Sequence, residues 1–244
     1  MKKRLLSALL LCALLVTLCV SVVPGAVASA EDLSEDPPKD LPDIDIHSWE
    51  FRLCNAYNSV GFYVCDYGPI EGVGLDPRVV PYALAMMDEA RAQGYSIYIA
   101  HGYLNLELVE YLFDRALRDS DYDPIAAERF FQGFGVNEHQ IGLAIDFTDQ
   151  IMYRATFDFY EDPEIFDSEL YAWLLENCAD YGFVPRYPED KEFFYGVSCP
   201  HAHFRYVGEE AAHFMMEHQL CLEEFIMLYD PSLVFIPEHG RFTD

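Results

Sequence analysis

Residues 137–146 read Asn-Glu-His-Gln-Ile-Gly-Leu-Ala-Ile-Asp, NEHQIGLAID. From Ile141 to Phe147 the run is short, apolar and β-prone, so it predicts a buried strand opened by Gly142. Asp146 interrupts that run between Ile145 and Phe147. A carboxylate in such a place is costly unless it is paired, hydrogen-bonded or metal-bound. His139 lies upstream, across Gly142. A turn at this glycine lets a loop histidine fold back over a strand aspartate.

A second stretch, Ser198 to Gly208, reads SCPHAHFRYVG. His203 to Val207 predicts another strand. Side chains alternate along a strand, so His201, His203 and Arg205 would share one face. Two imidazoles on one face are unusual for a packing strand. Two histidines and one carboxylate suit zinc, which takes neutral imidazole nitrogen and carboxylate oxygen, and three protein ligands leave a fourth position for water. Either stretch alone is weak evidence, since an isolated His-x-His is more often incidental.

Around these stretches the periodicity alternates between helix and strand. Pro77 to Gln93 predicts a helix with Val80, Leu84, Met87 and Ala90 on its core face, ended by Gly94. Ser96 to Ala100 predicts a buried strand. Asn105 is placed to cap a helix carrying Leu108, Leu112, Phe113 and Ala116. Ser168 is placed to cap another, with Leu170, Trp173, Leu174 and Cys178, stopping near Gly182. Glu209 to Glu217 and Leu222 to Tyr229 predict two more helices. Helices with a few non-consecutive strands point to an α+β domain.

Composition narrows the function classes. The 244 residues carry a formal net charge of −27, which excludes a nucleic-acid partner needing clustered Lys and Arg and excludes adhesion to anionic lipid. Apolar residues make up 52% and aromatics 15%, too many for a disordered acidic tail. Lys2, Lys3 and Arg4, then an apolar run from Leu5 to Val23, then Ala28-Ser29-Ala30 form the order of a secretory signal over residues 1–30. An uncleaved anchor is the alternative, because the apolar run approaches bilayer-spanning length. Residues 31–48 are acidic, contain Pro37, Pro38 and Pro42, and predict a solvated linker. Packed structure is expected over residues 49–229, leaving 230–244 as a tail without an assigned role. Cys54, Cys65, Cys178, Cys199 and Cys221 lie beyond the leader. Export permits bridges such as Cys54–Cys65 or Cys178–Cys199, and buried free thiols remain the alternative.

The pattern His139-x-x-Gly142-x-Ala144-x-Asp146, followed by His203-Phe204-Arg205-Tyr206-Val207-Gly208, resembles the zinc D-alanyl-D-alanine carboxypeptidases. The vancomycin-resistance carboxypeptidases belong to that group. The likeness extends to Asn55-x-x-Asn58, Gly102-Tyr103, the helix around Trp173, and Gly182-Phe183 with Arg186-Tyr187-Pro188, and so covers roughly Trp49 to Glu217. The resemblance implies a small central antiparallel sheet flanked by helices. It implies zinc on that sheet, held by His139, Asp146 and His203. It also implies hydrolysis at the C-terminus of a peptidoglycan stem peptide. The leader at residues 1–30 makes export the expectation, and a monomer is expected.

The departures fall on the catalytic machinery. The family's general-base glutamate, three residues before the last zinc histidine, is Pro200 here. The family's tryptophan before that histidine is Ala202, and the serine opening the first motif is Asn137. The Ser-Gly-Tyr-Arg-Ser element, whose arginine is expected to engage the substrate carboxylate, reads His101-Gly102-Tyr103-Leu104-Asn105. Three readings follow. His201 takes over as general base, since its neutral pKa range suits proton transfer; or His201 closes the site as a fourth ligand; or the domain binds wall peptides without turnover. The first is preferred. Arg186, Asn137 and Tyr103 are the candidate substrate contacts, with a structural ion pair as the alternative for Arg186. Glu138, next to a ligand, is read first as a solvent-facing loop acid, with a partner behind the metal ligand or a base as the alternative, and Arg205 is expected to brace the sheet or a nearby carboxylate.

Overall fold

The computed structural model describes residues 38–153, 163–196 and 202–238. Strands β1 (Gly68–Ile70) and β2 (Val73–Leu75) form an antiparallel hairpin. Its two-residue turn is Glu71-Gly72, both at positive φ (45° and 99°), the conformation that matches the right-handed twist of paired strands. Helix α1 (Val80–Ala92) follows, and its buried residues are Ala83, Met86, Met87 and Ala90. Leu84, expected in that stripe, is 37% exposed: the helix is rotated so that the alanines and methionines meet the sheet.

Next come β3 (Tyr98–His101), α2 (Leu106–Asp119), α3 (Pro124–Phe130), β4 (Ala144–Thr148) and α4 (Glu169–Asn177). Asn105 caps α2, its side chain accepting from the Leu108 N–H at 2.9 Å. Ser168 caps α4 through the Tyr171 N–H at 3.1 Å. Past α4, a 3-10 turn over Cys178–Tyr181 ends at Gly182 with φ +77°. The chain then makes β5 (Phe183–Pro185), α5 (Glu192–Tyr195), β6 (His203–Tyr206), α6 (Glu209–Glu217) and α7 (Leu222–Tyr229). Among the described residues no helix is long and apolar enough to cross a membrane.

The main sheet has four strands in the order β3-β4-β6-β5, all antiparallel. The expected α+β architecture with a small central antiparallel sheet is therefore present. Ile99, Ile145, Phe147 and Phe204 from this sheet join α1 and α4 in one apolar core. A second core lies around α6 and α7, and Leu41, Ile44 and Ile46 pack on it. Order thus begins before Trp49. At the other end Asn58 both donates to the Phe235 carbonyl (3.0 Å) and accepts from its N–H (2.9 Å), which ties residues after α7 back to the domain. Cys54, Cys65, Cys178 and Cys221 are buried free thiols. Burial pushes the Cys65 and Cys178 thiols up to about 12, which keeps them protonated and unreactive. Cys199 lies outside the described residues.

Candidate metal centre

The first motif folds as its glycine suggests. Glu138–Ile141 form a 3-10 turn ended by Gly142 at φ +72°. A Cβ at that position would sit 2.7 Å from Cys65 Sγ and 3.0 Å from the Asp76 nitrogen, so glycine is required for both backbone conformation and space. The turn carries His139 over β4. Asn137 holds it there, its Oδ1 accepting from the His139 N–H at 3.0 Å while its Nδ2 donates to the Gln132 carbonyl at 3.0 Å.

Across the sheet, Asp146 is the register partner of His101 on β3 and of His203 on β6. Its carboxylate has no exposed surface. Oδ1 lies 2.8 Å from His203 Nδ1. Oδ2 lies 3.0 Å from His101 Nδ1 and 3.2 Å from His139 Nε2. One donor atom each from His139, Asp146 and His203 fall within 4.8 Å of one another. The three residues singled out in the sequence are brought together.

The charges around them are ordered. Burial pushes the Asp146 carboxyl up, but His139 and His203 outweigh it and hold the group well below the usual carboxylate range. Burial pulls His139 down, against Asp146, so the neutral imidazole is favoured. That is the form a metal requires. Burial also pulls His203 down, but Asp146 and Glu138 outweigh it and raise His203 to about 9.

Behind His203 sits a buried charge network. Glu138 Oε2 is 3.3 Å from His203 Nε2. Its Oε1 accepts from Arg186 Nε at 2.8 Å and Arg205 Nη1 at 2.6 Å. Arg186 in turn donates twice to Glu223, at 2.9 and 2.5 Å, and Asn55 Nδ2 donates to the same carboxylate at 2.5 Å. Arg205 also donates from Nη2 to the Glu50 and Arg52 carbonyls, both at 2.8 Å. Buried charges are tolerated only when paired and hydrogen-bonded in this way. Desolvation pushes the Glu138 carboxyl up, and Arg186 and Arg205 overcome it and keep the group ionised.

Several expectations change here. Glu138 is 1% exposed, not a solvent-facing loop acid, because two guanidinium groups compensate its burial. Arg186 is 1% exposed and committed to two carboxylates, so it belongs to the structural ion pair and not to a substrate clamp. Asn137 is 4% exposed with both ends of its amide in use, which makes it a cap and not a substrate contact. Tyr103 is half-buried and stacked on the exposed Tyr67, ring centroids 4.9 Å apart, so it remains open to solvent. Arg205, on the inner strand β6, does brace a carboxylate, and it ties that strand to the Glu50 and Arg52 carbonyls. His201 and Pro200 lie outside the described residues. His101 was missed from sequence, as was the partnership of Glu138 with Glu223 through Arg186.

Two imidazoles and a carboxylate converging on an antiparallel sheet, with the outer nitrogen of one imidazole against a second carboxylate, fit one divalent cation with three protein ligands. That donor set and fold define the class. The D-alanyl-D-alanine carboxypeptidase family VanY matches residues 72–209, and the chain belongs to this family. A D-alanyl-D-alanine carboxypeptidase of Enterococcus faecalis is 32% identical over 191 residues, covering 75% of this chain and 67% of the relative. Among solved structures, VanYB in complex with D-alanine-D-alanine shares 32% identity with a TM-score of 0.64, over 75% of this chain and all (100%) of that one. A mutant of the vancomycin-resistance D,D-pentapeptidase VanY in complex with Zn(II) shares 32% identity with a TM-score of 0.62, over 73% of this chain and 99% of that one. The relatives are peptidases.

Proposed function

We propose that this chain is an exported zinc peptidase that hydrolyses the terminal peptide bond of peptidoglycan stem peptides. The observation that carries this reading is the convergence of His139, Asp146 and His203 within 4.8 Å in a member of a carboxypeptidase family. These three residues hold the zinc. When bound, the metal supplies Lewis-acid polarisation of the scissile carbonyl and lowers the pKa of water.

The chain's own residues do the rest. Glu138, pinned by Arg186 and Arg205, receives the His203 Nε2–H, which presents Nδ1 toward Asp146 and His139. Tyr187 stacks on the His203 ring with centroids 5.0 Å apart and limits its rotation. The half-exposed Tyr103 offers its ring to the substrate's terminal residue. His201 takes the proton from the attacking water and returns one to the leaving amine, the role the family gives to glutamate. Because Arg186 is spent on Glu138 and Glu223, the terminal carboxylate of the substrate is held by other groups.

The test is release of D-alanine from a stem peptide ending in D-Ala-D-Ala, by the full chain with one equivalent of zinc. Hydrolysis that His201→Ala lowers by about two to four orders of magnitude, with zinc retained, supports the reading. No release from any stem peptide by zinc-loaded chain contradicts it and leaves a wall-peptide binding module instead.

A further inference from the structure

His101 is outside the group of three donors yet touches its central member. On β3, Ile99 pairs with Phe147 of β4, and the next pair is His101 with Asp146, not Ala100 with Asp146. One residue has been inserted. In unbroken antiparallel register Ala100 would oppose Asp146 and His101 would oppose Ile145, on the apolar face, because a one-residue slip moves a side chain to the other side of the sheet. The bulge re-aims His101 onto the polar face, a use of bulges common beside functional sites. There it is 2% exposed, with Nδ1 at 3.0 Å from Asp146 Oδ2. A carboxylate only accepts, so Nδ1 carries the proton.

We propose that His101 is a positioning residue for the metal centre: its Nδ1–H fixes the rotation of the Asp146 carboxylate so that both oxygens stay turned toward His139 and His203. The inference rests on the reading that these three residues hold zinc. Among the described residues the other neighbours of the Asp146 carboxylate, His139 Nε2 at 3.2 Å and His203 Nδ1 at 2.8 Å, are themselves members of the ligand set. A group that must turn outward to the metal cannot be held in place by the partners it shares that metal with. Outer partners of this type typically contribute about 10- to 100-fold in metal affinity.

The experiment measures zinc affinity of the full metal-stripped chain by competition with a chromophoric chelator, and the absorption bands of the Co(II)-loaded chain. His101→Ala is expected to weaken zinc binding about 10- to 100-fold and to shift the cobalt bands. His101→Asn, whose amide N–H can stand where Nδ1–H stands, restores most of the affinity and the bands. His101→Gln, which mimics Nε2 instead, does not. An alanine variant that binds zinc as tightly as the unaltered chain overturns the proposal. Should the alanine variant not fold, equal affinities in the Asn and Gln variants overturn it and a clear preference for Asn supports it. An unaltered chain that takes up no zinc overturns the zinc reading itself, which is a different result from zinc uptake indifferent to His101.

Discussion

On β4, Ile145 and Phe147 pack into the apolar core with Ile99 and Phe204, whereas Asp146 between them meets His101, His139 and His203. Both faces are buried. The apolar face is held by non-directional burial, so shape and volume decide what it tolerates. The polar face is held by pairing, so removing one member strands a charge that the fold cannot hydrate. The difference teaches that equal burial does not mean equal tolerance: a change of similar size is mild on one side of the sheet and severe on the other.

The severe case is Arg186→Leu. It leaves Glu138 and Glu223 buried without their shared cation, and a loss of about 3–5 kcal/mol in unfolding free energy is expected by chemical denaturation. A loss comparable to that of a surface substitution would break the comparison. Acid probes the same side. The folded Glu138 carboxyl is held below its ordinary value of 4.5, so its contribution is complete above that value and disappears as pH falls through the depressed folded value. The gap in melting temperature between the unaltered chain and Glu138→Gln is therefore widest near neutral pH and closes in acid. A gap that stays constant with pH contradicts the assignment. On the apolar face Ile145→Leu keeps the side chain hydrophobic and of equal volume, and less than about 1.5 kcal/mol is expected. The smallest effect belongs far from either face: Asn105→Ala removes the α2 cap, costing about 1 kcal/mol and leaving zinc affinity unchanged.

The same contrast explains what could be read in the sequence. The apolar face follows local periodicity, so α2, α4, α6, α7 and the strands β3, β4 and β6 were legible. The donor triad was legible too, because Asp146 and His203 each break an apolar strand pattern and His139 stands before a turn glycine. The charge network was legible only in part: Arg186 and Arg205 read as partners of carboxylates, but which carboxylates did not. Its members are residues 138, 186, 205 and 223, and pairing between distant charges has no local period. His101 was hidden by the bulge, since regular alternation would place it opposite Ile145. The hairpin β1–β2 and strand β5 are three residues each, too short to show alternation. Helix α3 did carry a signal: Asp123 caps it, accepting from the Ile125 and Ala126 N–H groups, and Pro124 sits at its first position, where proline is favoured.

X-ray absorption at the zinc edge of the loaded full-length chain tests the central claim most directly. The account predicts close to one zinc per chain with only nitrogen and oxygen neighbours at about 2.0–2.2 Å, lost in His203→Ala and Asp146→Ala. Zinc–sulfur distances of about 2.3 Å, or full loading that survives both substitutions, would contradict it.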